Sequence, residues 1–276
     1  MNTELKNTME SHEKSVTQEQ QQKIDEVRST VGPIPETLRR YCSDASIARY
    51  LQNQNWNVQK ATKMLKESLK WRSEYKPDEI RWEDVAHEAE TGKIYRSTSV
   101  DKKGRPVLVM RPCRQNSSNV AGQMKYLVYC IENAMLNLPA GEEEMIWVVD
   151  FWNFKISNIS MKVTKELAHI LQNYYPQRLG VALLYNPPWI FEQFYKMVKP
   201  FLETRTRDKV KFVYSNDSST MKIMEDLFDM EQFESVLGEK AAESFDINVY
   251  AQRMKEDDEK RRSLNNKGND VSTLSG

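Results

Sequence analysis

Four short apolar runs, RPVLVM (105–110), MIWVVDF (145–151), VALLY (181–185) and VKFVY (210–214), alternate along the chain with longer stretches whose apolar residues recur every three or four positions. The longer stretches are GQMKYLVYCIENAMLNL (122–138), TKELAHILQNYY (164–175) and a segment beginning near Trp189. The short runs, rich in β-branched and aromatic residues, predict strands, and the longer periodic stretches predict helices. This alternation predicts a mainly parallel α/β sheet, because parallel neighbours need a crossover between them. A further strand over 93–100 is joined to the first run by DKKGR, whose Gly104 suits a tight turn, so that edge is predicted to be antiparallel. SSTMKIMEDLF (218–228) predicts a helix after the last strand. Upstream, Ser43 or Asp44 and then Asn57 are candidate N-caps for a helical region that Pro77 stops.

One helix is unusually apolar. Ile190, Phe191, Phe194, Tyr195, Met197, Val198, Phe201 and Leu202 fill a continuous arc, with Trp189 at its start and Glu192, Gln193, Lys196 and Lys199 opposite. Leaving those eight side chains in water would forgo about 10–20 kcal/mol of burial at ~1.5–3 kcal/mol each, comparable to the roughly 5–15 kcal/mol that holds a whole domain folded. The face must be covered by the protein's own core, by an apolar ligand or by a membrane. Pro200 kinks or ends the helix, and TRTRD (204–208) after it is a candidate hinge. Between 196 and 211, Lys196, Lys199, Arg205, Arg207, Lys209 and Lys211 face only Glu203 and Asp208 as counter-charges, an excess that favours an anionic membrane surface.

Composition narrows the chemistry. Forty basic and forty acidic residues cancel among 276, with no basic stripe, so nucleic acid is not an expected partner. Three cysteines (Cys42, Cys113, Cys130) without zinc spacing, and a start without an apolar signal core, predict a cytoplasmic setting. No apolar stretch is long enough to span a bilayer, so membrane association is expected to be peripheral. The nine glycines are too widely spaced for GxGxxG, a P-loop or GxSxG. His12, His87 and His169 form no metal-ligand spacing, and Asp150 has no partner base in the sequence. No catalytic residue, metal or cofactor is therefore expected.

Ordered pieces spread over residues 40 to 240 resemble the CRAL-TRIO lipid-binding family, in particular its yeast-type phosphatidylinositol-transfer branch. They are SDASIARYL, NWNVQKATKML, LKWR, DKKGRPVLV, VVDFWNF, LQNYYPQRLG, YNPPWIFEQFYKMVKPFL and TRTRDKVKFVYS. The resemblance implies a mixed, mainly parallel sheet flooring an apolar cavity, with an N-terminal helical module and a movable gate helix. The expected organisation is a disordered tail over 1–20, the helical module over 21–90, the lipid-binding domain over 91–250, and a charged, mobile tail over 251–276.

By the same resemblance, Trp189, Ile190, Phe191, Phe194, Tyr195, Val198 and Phe201 form the gate and acyl-chain cover, and Thr206 and Lys209 hold the head group. Gln54 and Gln177 stand where phosphatidylinositol binders carry an arginine and an acid, so two charged head-group contacts become amides. Met145 and Trp147 replace small hydroxyls of phosphatidylcholine binders, which disfavours that lipid. The implied function is a monomeric, non-enzymatic carrier of a phospholipid ligand, most readily phosphatidylinositol, that exchanges it at a transient anionic membrane surface. The alternative is a protein-interaction adaptor that keeps the fold.

Overall fold

A computed structural model describes residues 17–233, 237–238 and 245–270. The chain divides into two compact units, one ending at Lys66 and one beginning at Glu67. In the first, Thr17 closes a capping box on α1 (Gln18–Val31), and the Ser43 hydroxyl accepts from Ser46 N at the start of α2 (Asp44–Asn53). Asn57 accepts from Lys60 N at the start of α3 (Val58–Tyr75), which ends just before Pro77 as its sequence predicts.

The second unit carries α4 (Trp82–Ala89), a hairpin of β1 (Ile94–Val100) and β2 (Pro106–Met110), then α5 (Val120–Leu136), β3 (Met145–Asp150), α6 (Met161–Tyr174) and β4 (Leu179–Tyr185). It continues through α7 (Trp189–Val198), α8 (Thr204–Lys209), β5 (Val210–Val213), α9 (Ser218–Leu227), α10 (Met230–Phe233) and α11 (Ile247–Asp270). The strands lie in the order β1-β2-β3-β4-β5; the first pair is antiparallel and the rest are parallel. Gly104 sits at φ +76° in the hairpin turn, where its missing Cβ removes the usual penalty.

Alternation along the strands sorts side chains to two faces. Val107, Val109, Ile146, Val148, Leu183 and Val213 point to one, where Met224, Phe228 and Phe233 from the region of α9 and α10 close a fully buried core. Leu108, Met145 and Trp147 point to the other, toward α5 and α11.

Two parts of the expected organisation differ. Residues 67–90 group with the sheet rather than with the N-terminal helices, because Trp82, Val85 and Ala89 are buried in the same core as α5. Residues 251–270, expected as a mobile tail, are helical. Asp257 accepts from Arg96 Nη2 at 2.6 Å and Asn133 Nδ2 at 3.0 Å, and Asp258 accepts from Trp82 N at 2.8 Å. The charge density that reads as a solvated tail thus includes buried, paired carboxylates. Of the expected tails, residues 1–16 and 271–276 lie outside the described residues.

Candidate functional site

The face of the sheet opposite α9 is hollow. A cavity of about 470 Å³ lies over Met110, Trp147, Val149, Ala182 and Leu184, walled by Met124 and Leu127 of α5 and by Val163, Leu167 and Leu171 of α6. Its roof is α7, which contributes Phe191, Phe194, Tyr195 and Val198. These aromatic rings interlock: Phe191 lies 4.3 Å from Phe151 and 5.9 Å from Phe154 and Phe194, and Tyr195 lies 5.3 Å from Phe212, centroid to centroid.

The single apolar arc read from the sequence splits in two. Phe194 and Val198 are buried, whereas Trp189, Ile190, Met197 and Phe201 are exposed, Trp189 by 69%. Trp189, Ile190 and Phe201 are absent from the cavity wall, so the residues expected to form a gate comprise an inner and an outer set. The arc is wider than one contact stripe, and periodicity alone does not divide it.

Polar contacts fasten both ends of this roof. At its start, Tyr214 Oη donates to Glu192 Oε1 at 2.6 Å; burial, and then the Glu192 carboxylate, push the Tyr214 phenol up to about 12. Beyond its end, α7 gives way at Pro200 to a 3-10 turn, Lys199–Phe201. There the Gln172 side chain of α6 donates to Phe201 O at 3.2 Å and accepts from Glu203 N at 2.6 Å. Lys165 Nζ lies 4.2 Å from the centre of the Phe201 ring. The TRTRD segment (204–208) expected as a hinge is folded into α8.

Among the expected head-group residues, Thr206 lines the cavity. Lys209 Nζ donates to Leu179 O at 2.5 Å, Glu144 Oε1 at 3.0 Å and Gln177 Oε1 at 3.5 Å. Gln177 occupies the left-handed region at φ +58°. Gln54 belongs to the unit ending at Lys66, where it follows α2, its N–H bonding to Tyr50 O at 3.1 Å and its Nε2 to Met64 Sδ at 3.4 Å. No sequence pattern points to Glu144 or Gln172 as site residues beyond the acidic GEEEM run before β3 that contains the former.

A second polar group forms another part of the cavity wall. Lys93, buried beside Glu88, also donates to Gln115 Oε1 at 2.7 Å, while Gln115 Nε2 donates to Gln123 Oε1 at 2.9 Å. Burial pulls the Lys93 ammonium below its usual range, opposed by Glu88. Asp150, at the end of β3, accepts from Trp152 N at 3.1 Å and Gly238 N at 2.9 Å, a structural role. His169 is on the surface, with Nδ1 3.0 Å from Asn173 Nδ2. Among the described residues, no group of three or more His, Cys, Asp or Glu side chains could hold a metal ion, and no helix is long and apolar enough to cross a membrane.

The CRAL/TRIO domain family matches residues 89–238, the span that carries the sheet, the cavity and its roof. A CRAL-TRIO domain-containing protein of Schizosaccharomyces pombe is 35% identical over 178 residues, covering 64% of this chain and 18% of its own length. Phosphatidylinositol transfer protein PDR17 of Saccharomyces cerevisiae is 32% identical over 193 residues, covering 65% of this chain and 55% of PDR17. The Sec14 cytosolic factor of S. pombe is 26% identical, covering 73% of this chain and 77% of the factor. The chain thus spans less than two thirds of the first two relatives. The crystal structure of Sfh5 superposes with a TM-score of 0.64 at 16% identity, covering 85% of this chain and 91% of Sfh5, a likeness of fold. With a family match over more than half its length and the sheet, cavity and helices in place, the chain belongs to the CRAL/TRIO family.

Proposed function

We propose that this protein is a non-enzymatic carrier that loads a phospholipid, phosphatidylinositol in first place, and exchanges it with an anionic membrane surface that it visits peripherally. The observation that carries this reading is the apolar cavity roofed by α7. Relatives named as phosphatidylinositol transfer proteins support it. Acyl chains gain ~0.8 kcal/mol per methylene on leaving water for either a bilayer or an apolar cavity, so transfer between the two is near balance and needs no fuel.

The cavity wall is mainly apolar, as acyl chains require. In this reading α7, which contributes Phe191, Phe194, Tyr195 and Val198 to the wall, moves outward for a lipid to enter or leave. The exposed Trp189, Ile190 and Met197 of α7 and Phe201 of the turn after it are the residues that meet the bilayer when it does, with Lys196 and Lys199 beside them for anionic head groups. At the rim, Lys209 and Thr206 take the phosphate.

Mass spectrometry of lipid extracted from the purified protein, followed by transfer between donor and acceptor vesicles, tests the reading. Co-purified phospholipid and protein-dependent transfer are expected. Neither bound lipid nor transfer would overturn it and leave the adaptor alternative.

A further inference from the structure

Lys209 is not a bare cation at the cavity rim. Besides its bond to Glu144 Oε1, the same carboxylate lies 3.4 Å through Oε2 from Arg105 Nη1. The strand makes room for this arrangement: a Cβ at Gly180 would lie 2.9 Å from Arg105 Nη1 and 3.2 Å from Glu144 Oε2. The missing side chain opens the space in which guanidinium and carboxylate meet. Leu179, whose carbonyl anchors Lys209, lines the cavity with Thr206 and Val210, so the pair stands at its edge. The Lys209 and Glu144 side chains are 25% and 35% exposed, accessible to a head group. Neighbouring Glu143 is occupied by Arg178, at 2.5 Å.

We propose that Glu144 is a specificity-determining residue that accepts hydrogen bonds from head-group hydroxyls and, with Lys209, selects polyol phospholipids over those with a bare phosphate or an ammonium. The proposal rests on the phospholipid-carrier reading above. A phosphate without further donors must draw Lys209 away from Glu144, which leaves a carboxylate facing a phosphate. A head group with both phosphate and hydroxyls satisfies the two residues together: phosphate oxygens accept from Lys209, and a hydroxyl donates to Glu144. An ammonium would also answer Glu144, but it meets Lys209 and Arg105 already on that carboxylate, and like charges crowd it out.

The full chain is loaded from phosphatidylcholine vesicles doped with equal amounts of phosphatidylinositol, phosphatidic acid and phosphatidylethanolamine, and the bound lipids are quantified by mass spectrometry. The parent is expected to favour phosphatidylinositol over phosphatidic acid. In Glu144→Gln that ratio falls roughly tenfold, the order expected for one charge-assisted hydrogen bond. If Glu144→Gln does not fold, Glu144→Asp, which keeps the charge at shorter reach, is expected to lower the ratio as well. An unchanged ratio in a folded variant overturns the role of Glu144 alone. A parent that prefers phosphatidylethanolamine overturns the choice of polyol. A parent that takes up no phospholipid overturns the carrier reading itself.

Discussion

The fastening of the roof to α6 can be measured by replacing Gln172 with Met, which keeps the length of the side chain and removes its amide. Two hydrogen bonds are lost, to Phe201 O and from Glu203 N. Each neutral bond contributes about 0.5–1.5 kcal/mol net, and Gln172 is only partly buried, so water recovers part of the sum. A loss of about 1–2 kcal/mol from the observed arrangement remains, which under the proposed gate motion raises the open population roughly 5- to 30-fold. The added apolar surface faces the cavity, where Gln172 already forms part of the wall, and the freed Phe201 O and Glu203 N belong to exposed residues that water can reach. Stopped-flow transfer of a fluorescent lipid from donor vesicles reads the rate, and hydrogen exchange over 189–203 reads the opening. Both are expected to rise by about tenfold, the factor that goes with ~1.4 kcal/mol. If exchange over 189–203 is unchanged in Gln172→Met, the fastening role of this side chain is refuted, whatever the transfer rate does.

Three further outcomes follow from the same geometry. Trp189→Ala combined with Phe201→Ala removes outward rings that are 69% and 49% exposed; vesicle affinity in a flotation assay is expected to fall at least tenfold, about 1.4 kcal/mol, while the thermal midpoint hardly moves. Asp257→Ala removes the carboxylate from Arg96 Nη2, 14% exposed, and from Asn133 Nδ2 while leaving those two joined through Arg96 Nε, and a urea titration is expected to show a loss of about 2–4 kcal/mol; an effect below ~0.5 kcal/mol would mean that the α11 carboxylate does not hold the helix to the sheet. The Tyr214 phenol is raised in the folded state to about 12, so its contribution is complete below the ordinary tyrosine range near ~10 and is lost as pH climbs through 12. Stability of the parent is therefore expected to fall more steeply over that alkaline window than that of Tyr214→Phe, and parallel curves would remove the Glu192 contact from the account.

The sheet was legible because its signals are local. Short apolar runs rich in β-branched and aromatic residues gave four strands, Gly104 gave the hairpin to the fifth, and Pro77 and Pro200 marked where helices stop. Other features depend on what lies across space. The hydrophobic content of α7 was plain, but its division into an inner set around Phe191 and Phe194 and an outer set around Trp189 and Phe201 depends on where the sheet stands. Asp257 and Asp258 read as solvent-facing charge because Arg96, Asn133 and Trp82, more than a hundred positions away in sequence, are what satisfy them. Glu144 was hidden for a similar reason: only the fold sets it beside Lys209 and Arg105. Gln177 reaches Lys209, whereas Gln54, paired with it in the sequence reading, lies in the other unit.

A lid with oil on both its surfaces has no wholly comfortable place in water. Shut, it leaves one side wet; lifted into solvent, it would wet the other as well. Under the proposed carrier role, contact with a bilayer dries both at once, so the surface of the target would unlock the container, and the same two-sided grease would disfavour spilling the cargo into the aqueous phase.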